Sequence, residues 1–447
     1  MTLVMKFGGS SVADAACMRQ VAGLVADALP QAPLVVLSAM GKTTNALFEA
    51  AAHAERGQLD AALAILARIR AHHETAAREL RGEGAPDLSG AFQELESLVR
   101  GVALLRELSP RTLDAIASFG ERLSTRIFAA FTDHAWFDAR LVLRTDARFG
   151  EATPDLHALA RLAQGHLAHQ LRPGRAVITQ GYIGATEEGL TTTLGRGGSD
   201  YTAALLGAAL KADEVQIWTD VEGVLTADPR IVSGAFPIPE LGFQEAAELA
   251  AFGAKVLHPA TIQPAVEANI PVTVRHTARP TGRFTTISGE VAAGRAVTAL
   301  ASRGPISVLT VSSTRMLAQS GFLARLFDVF GRHQVPVDLI ATAEVSVSLT
   351  VESDAPLKAL QKELSAFATV TAAEDRAIVA IVGERLKRTP GICARSFAAL
   401  KDINVEMISM GANEINLSLV VKRADADEAL RRLHGALIEQ QMEGGAA

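Results

Sequence analysis

The sequence predicts an α/β protein: a mainly parallel sheet covered by helices, followed by two copies of a β-α-β-β-α-β unit. Three observations lead there. Short β-branched runs alternate with long helical patterns over the first two-thirds of the 447 residues. The last third matches itself at a fixed offset of 70 residues. Hydrophobic residues make up 49% and charged residues 21%, so a packed core is available, and the length suggests about three domains.

The elements follow in order. Leu34–Leu37, Ala176–Thr179 and Val215–Thr219 read as buried strands. Leu59–Arg81, Ala91–Glu107 and Leu156–Leu171 read as helices between them. Short apolar strands separated by helices predict a parallel sheet covered on its faces. Turn residues gather between Pro271 and Gly294, and Ser288–Arg295 reads as a linker. Beyond it, Gly321–Val351 lies on Gly391–Val421 without a gap, with nine identities in 31 positions, among them Gly321/Gly391, Arg325/Arg395 and Glu344/Glu414. Such a match means two copies of one supersecondary unit. In the first copy Ile306–Ser312, Val335–Ile340, Val345–Val351 and Val370–Ala373 read as strands, and Gly321–Arg332 and Ala355–Phe367 as helices. That is a ferredoxin-like order. The second copy runs from Ala377–Val382 to a helix near Asp425–Gln440 and stops one strand short. Val297–Ser302 is expected to supply that strand, which inserts the first unit into the second. The expected domains are 1–288, then 303–374, then 296–302 with 375–447.

Composition excludes several classes. Lysine plus arginine number 43 against 49 acidic residues, a net charge of −6, with no basic stripe for nucleic acid. Two cysteines, Cys17 and Cys393, permit no disulfide framework. No apolar run approaches the roughly 18 residues of a membrane span, and the N-terminus enters a strand directly. A cytoplasmic protein is expected.

Several segments carry chemistry. Lys6-Phe7-Gly8-Gly9-Ser10-Ser11-Val12 is a strand end, a glycine turn and a helix start, which lets backbone amides and one ammonium approach an anion. Gly41-Lys42-Thr43 resembles the end of a phosphate-binding loop, but Val36 stands where that motif needs glycine, so that reading is rejected. Lys42 and Thr44 still follow a strand's C-terminus, where open α/β sheets bind ligands. Thr191–Thr202 sets Arg196 among Gly195, Gly197 and Gly198, ahead of Ser199 and Asp200; a fork-shaped receptor for carboxylate or phosphate fits there better than a passive loop. Trp218–Arg230 ends another strand with polar residues, and Phe252–Pro259 offers Lys255 in apolar surroundings. The histidines show no metal-ligand spacing, and no metal site is expected from the protein alone.

Together the motifs KFGGSSV (6–12), VLSAMGKTTN (36–45), SFGERLS (118–124), TLGRGGSDYTA (193–203), WTDVEGVLTADPR (218–230) and FGAKVLHPAT (252–261) resemble the aspartate kinases of the amino-acid-kinase family, and the repeats resemble the paired ACT domains that end those enzymes. The likeness is to the single-function, lysine-sensitive type. It implies transfer of the ATP γ-phosphoryl group to the β-carboxylate of L-aspartate, the first step toward lysine, threonine and methionine. Lys6 and Lys255 would neutralise the migrating group, and Asp200 would hold them. Arg196 would take the substrate α-carboxylate, Glu121 its amine, and Thr44 and Ser199 would lie against it. Lys6, Gly8, Gly9, Ser10, Thr219, Asp220, Leu225, Arg230 and Lys255 would surround ATP, with Mg²⁺ arriving mainly on the phosphates. Many relatives carry tyrosine where Leu225 stands, so an aromatic contact with adenine is not expected.

By the same likeness Met316, Ser320, Gly321, Phe322, Leu323, Asp338, Thr342, Glu344 and Val345 would bind an amino-acid effector, lysine, with threonine as the alternative co-effector or rival. The helix opening at Ser320–Leu323 suits an α-carboxylate, and Asp338 and Glu344 suit ammonium groups. The second copy has Ile408 in place of Asp338, so only the first is expected to bind a cation. A homodimer or homotetramer through the ACT units is expected. The alternatives are a kinase for another amino acid and a catalytically inactive sensor built on the same body.

Overall fold

The computed structural model describes residues 2–253, 259–289, 291, 296–317, 320–411 and 413–439. The expected linker 288–295 lies mostly outside them, and so does Lys255. The chain forms two compact units: residues 1–224, 239–243 and 256–291 in one, and 225–238, 244–255 and 292–447 in the other.

The first unit is built on an eight-stranded sheet. Its strands are β1 (Leu3–Phe7), β2 (Leu34–Leu37), β3 (Ala135–Phe137), β4 (Val177–Gln180), β7 (Glu214–Thr219), β8 (Glu240–Gly242), β9 (Val272–His276) and β10 (Thr285–Ser288), in the order β3-β4-β2-β1-β7-β9-β10-β8. The six strands from β3 to β9 are parallel, and β10 runs antiparallel to β9. The central strands β1, β2 and β4 are buried along their whole length, as apolar strands covered on both faces must be. A short hairpin of β5 (Ile183–Ala185) and β6 (Thr191–Thr193) stands apart from this sheet. Helices occupy Leu59–Arg81, Ser89–Leu105 and Leu156–His166, close to the expected spans. The C-terminal ends of β1, β2, β4 and β7 share one edge, and the glycine turns open there.

The second unit carries one six-stranded antiparallel sheet, ordered β12-β13-β11-β14-β16-β15. Two strands differ from expectation. Val297–Ser302 and Ile306–Ser312 are not separate: β11 is continuous from Ala299 to Ser312, and β14 from Thr369 to Val382. The ladder continues through Gly304-Pro305 with register shifts between Arg303 and Val308. A bulge absorbs the irregularity. The first part of β11 pairs with the second part of β14 (Ala299 opposite Val382), and the second part with its first (Ser312 opposite Thr369). The first copy adds β12 (Ile340–Thr342) and β13 (Ser346–Glu352), the second β15 (Met407–Met410) and β16 (Asn416–Lys422). Val335–Leu339 does not join β12, because Pro336 has no amide to give a ladder. The repeat shows in matched helix starts: Gly321 (φ +91°) precedes Phe322–Arg332, and Gly391 (φ +80°) precedes Ile392–Ala399. The left-handed turn explains why glycine is kept at both.

Residues 225–238 and 244–255 belong to this second unit although they precede the repeats. Ala227 and Val232 sit in its apolar core. Thr226 is fully buried, where its hydroxyl meets His434 Nε2 at 2.9 Å. Glu248 accepts from the side-chain amides of Asn413 and Asn416, both at 2.7 Å. No helix of the described residues is long and apolar enough to cross a membrane.

Candidate active site and effector site

Lys6 lies on the central strand β1, and its side chain is 11% exposed. Its Nζ sits 2.6 Å from Asp200 Oδ1. Asp200 stands in the first turn of the helix Gly198–Leu210, where a carboxylate is favoured by the helix dipole. The turn that brings it there needs left-handed glycines, Gly195 (φ +74°) and Gly197 (φ +70°). Burial keeps the ammonium's attraction to Asp200 from being screened, so the lysine is held at one position rather than sampling solvent.

Gly9 allows the turns after β1 and β2 to meet. A Cβ there would lie 2.9 Å from the carbonyl oxygens of Ala39 and Gly41, and the Gly41 amide donates to the Gly9 carbonyl at 3.0 Å. The Gly8 amide donates to the Trp218 carbonyl at 3.3 Å. Ser10 is exposed beside this turn.

Glu121 opens the helix Phe119–Thr132 and is 3% exposed. Its Oε1 accepts from the Ala39 amide at 3.1 Å, while its buried Oε2 has no hydrogen-bond partner. Burial pushes the carboxyl up to about 8. An unpartnered buried carboxylate oxygen is costly, and an ammonium group would relieve it. Gly120 next to it packs against the end of β2: a Cβ would be 2.7 Å from Ala39 Cβ and 3.5 Å from Thr44 Oγ1. Ser199 is packed against Gly181 in the same way, 2.6 Å from where a Cβ would stand. Lys6 is thus carried by β1 itself, and Asp200, Glu121, Thr44 and Ser199 by the helix starts around β1, β2 and β4. Arg196 is exposed on its loop and flanks a cavity of about 420 Å³ whose walls are Glu151–Pro154 and Leu194–Arg196, with Tyr201, Ala260 and Thr261.

Of the residues expected around the nucleotide, Thr219 and Asp220 belong to the first unit; the Thr219 hydroxyl donates to Asp220 at 3.1 Å. Leu225 and Arg230 belong to the second, where Arg230 pairs with Asp228 at 2.5 Å. Among the described residues no group of three or more histidine, cysteine or acidic side chains could hold a metal ion.

In the second unit, Ser320, Gly321, Leu323, Thr342, Glu344 and Val345 are exposed, and Met316 and Phe322 half-buried. Asp338 already has a cation. Its Oδ1 accepts from Arg303 Nη1 at 3.1 Å, and its Oδ2 is buried without a hydrogen-bond partner. Arg303 also pairs with Glu352 and reaches the Ala251 carbonyl at 3.4 Å. Arg303 was not singled out from the sequence. Only the shared strand β11, which sets it beside Asp338, could have revealed it.

Asp114 was missed as well. On the helix Pro110–Ala117 it is 2% exposed, and its carboxylate accepts from the amides of Gly150 (2.9 Å) and Thr193 (2.8 Å) and from the Thr193 hydroxyl (2.8 Å). Burial raises its pKa against the pull of these donors.

Residues 1–276 match the Amino acid kinase family, and residues 309–365 and 379–437 each match the ACT domain. The chain is 42% identical to lysine-sensitive aspartokinase 3 of Escherichia coli, over 98% of this chain and 99% of that protein. Among solved structures it is similar to E. coli aspartokinase III in complex with aspartate and ADP in the R-state (TM-score 0.83, 41% identity, 98% and 100% of the two chains). It is also similar to the same enzyme with lysine and aspartate in the T-state (TM-score 0.80, 40% identity, 98% and 99%).

Proposed function

Because the chain belongs to the amino acid kinase family, among its ACT-bearing aspartokinases, we propose that it transfers the γ-phosphoryl group of ATP to the β-carboxylate of L-aspartate and is inhibited by lysine. The observation that carries the reading is the buried Lys6–Asp200 pair at the C-terminal edge of the sheet. The attacking group is a carboxylate, ionised at neutral pH, so no general base is needed. What the site must supply is alignment and positive charge, since an anion has to approach a polyanion. Lys6, kept in place by Asp200, supplies one such charge; Lys255 supplies the second in this reading.

Aspartate is oriented by its two other groups. Arg196 offers a fork to the α-carboxylate, Glu121 Oε2 offers an acceptor to the amine, and Thr44 and Ser199 border the same space. Thr219, Asp220, Leu225 and Arg230 take the nucleotide. Mg²⁺ shields the phosphates when bound and comes with ATP. The protein works in the cytoplasm as a homodimer or homotetramer joined through its ACT units. An acyl-phosphate assay trapping the product as a hydroxamate tests the activity. Product with aspartate and ATP, suppressed by lysine, is expected; product with glutamate but not aspartate would overturn it.

The effector reading rests on Asp338, whose second oxygen awaits a donor while Arg303 holds the first. Asp338→Ala is expected to raise the lysine concentration for half inhibition by about 30-fold or more, the scale of a truncated charge pair, with uninhibited turnover within twofold of the parent. Inhibition curves with and without the substitution check this.

A further inference from the structure

The segment Thr191-Thr192-Thr193 sits on the hairpin strand β6, three residues before Arg196. Each of its hydroxyls is bonded to a different neighbour. Thr191 accepts from Arg140 Nη1 at 2.9 Å, Thr192 meets the Thr145 hydroxyl at 2.7 Å, and Thr193 donates to Asp114 at 2.8 Å. The Thr193 amide also donates to Asp114, and the Thr193 carbonyl accepts from the Ala152 amide at 2.9 Å. Asp114 receives the Gly150 amide as well, one residue before Glu151. A single buried carboxylate therefore joins both walls of the cavity, the one that carries Glu151 and the one that carries Arg196. Gly195 lets those walls close up, since a Cβ there would stand 3.0 Å from Glu151 Cγ.

We propose that Asp114 is a positioning residue for the amino-acid substrate: it pins the strand leading to Arg196 and the loop leading to Glu151, and so fixes where the substrate carboxylate is received. The substrate part of this inference rests on the role given to Arg196 above. Carboxylates accepting several amide hydrogens in a buried place are strong fixed points, and losing one strands three donors at once. None of the three bonds reaches the nucleotide segments, so the effect belongs to one substrate.

The test uses the full chain with Asp114→Ala, Asp114→Asn and Thr193→Val. Asparagine can keep both amide bonds on its carbonyl oxygen and donate to the Thr193 hydroxyl from its amide. Asp114→Ala is expected to raise KM for aspartate about tenfold or more, with KM for ATP within twofold. Asp114→Asn should stay within threefold of the parent. Thr193→Val, which removes one bond and is nearly isosteric, should give a smaller rise of the same kind. Limited trypsin digestion reads the pinning without any substrate: cleavage after the exposed Arg148 and Arg196 should accelerate in Asp114→Ala and not in Asp114→Asn. Equal rises in both KM values, a fall in kcat alone, or unchanged cleavage in Asp114→Ala would overturn the proposal. A parent chain that is inert toward aspartate would overturn the kinase reading, while accelerated cleavage would still assign the pin to Asp114.

Discussion

Lys6→Met is expected to lower kcat for aspartyl phosphate formation by about 10²–10³-fold, the range seen when one donor to a developing charge is removed. The geometry predicts more than a lost charge. Asp200 would be left mostly buried, 17% exposed, without its ammonium. Breaking such a pair costs about 3 kcal/mol of stability, whereas replacing both partners costs less. The double variant Lys6→Met/Asp200→Leu should therefore recover much of the melting temperature lost by Lys6→Met and none of the activity. Lys6→Arg separates the roles differently. A guanidinium keeps the charge and can still meet Asp200, but it cannot present a compact ammonium at the same point. Its stability should stay near the parent's while kcat falls at least tenfold. Thermal unfolding and the hydroxamate assay on the three variants decide it; a Lys6→Met enzyme with more than a tenth of parental kcat would remove Lys6 from the phosphoryl-transfer step.

Binding of aspartate is expected to release a proton near neutral pH, and the proton comes from Glu121. Burial holds its carboxyl up at about 8, so the substrate-free protein keeps it mostly protonated at pH 7. A substrate ammonium set against Oε2 favours the carboxylate and displaces the proton. Calorimetry in buffers of different ionisation enthalpy should report that release. KM for aspartate should fall as the pH rises toward about 8. Glu121→Gln should abolish both the release and the slope, and raise KM for aspartate about 100-fold, in line with truncating one partner of a buried charge pair. The stability consequence has a definite sign. The folded chain holds this proton more tightly than the unfolded chain, whose carboxyl has its ordinary value near 4.5. Above that value the unfolded state releases the proton while the folded state retains it. Glu121 therefore makes stability fall as pH rises through the window from about 4.5 to about 8. Melting of the substrate-free parent should decline over that window more than melting of Glu121→Gln. Identical slopes in the two proteins would place the Glu121 carboxyl in its ordinary range.

The residues legible in the sequence were those whose chemistry makes no sense as packing. An arginine between glycines and a fixed-offset repeat stand out without coordinates, whereas a lysine before a glycine turn is common in α/β proteins and gains weight only beside the other motifs. Glu121 came only from the family likeness, since a single glutamate in an amphipathic helix looks like surface. Asp114 had no signal at all. It lies seven residues before Glu121 on a helix whose pattern gives no hint that Gly150 and Thr193 will come to it. Long-range partners are set by how the hairpin folds back, not by local spacing. The shared strand β11 was misread for the opposite reason. Two short apolar runs read as separate strands, and the sheet joins them through Gly304-Pro305. The bond between the Gly8 amide and β7 was not legible, because the motif shows which groups could face an anion and not their partners in the sheet.

The two long strands have a consequence for the history of the chain. Each copy of the repeat relies on a length of polypeptide that begins or ends in the other. Removing residues 303–374 would cut both β11 and β14 in mid-course, yet Ala299–Ser302 would keep their partners Val379–Val382. A duplication joined in this way leaves each half with its own complement of strands. One copy can therefore differ from the other at single positions, as Ile408 does from Asp338, while both stay joined through β11 and β14.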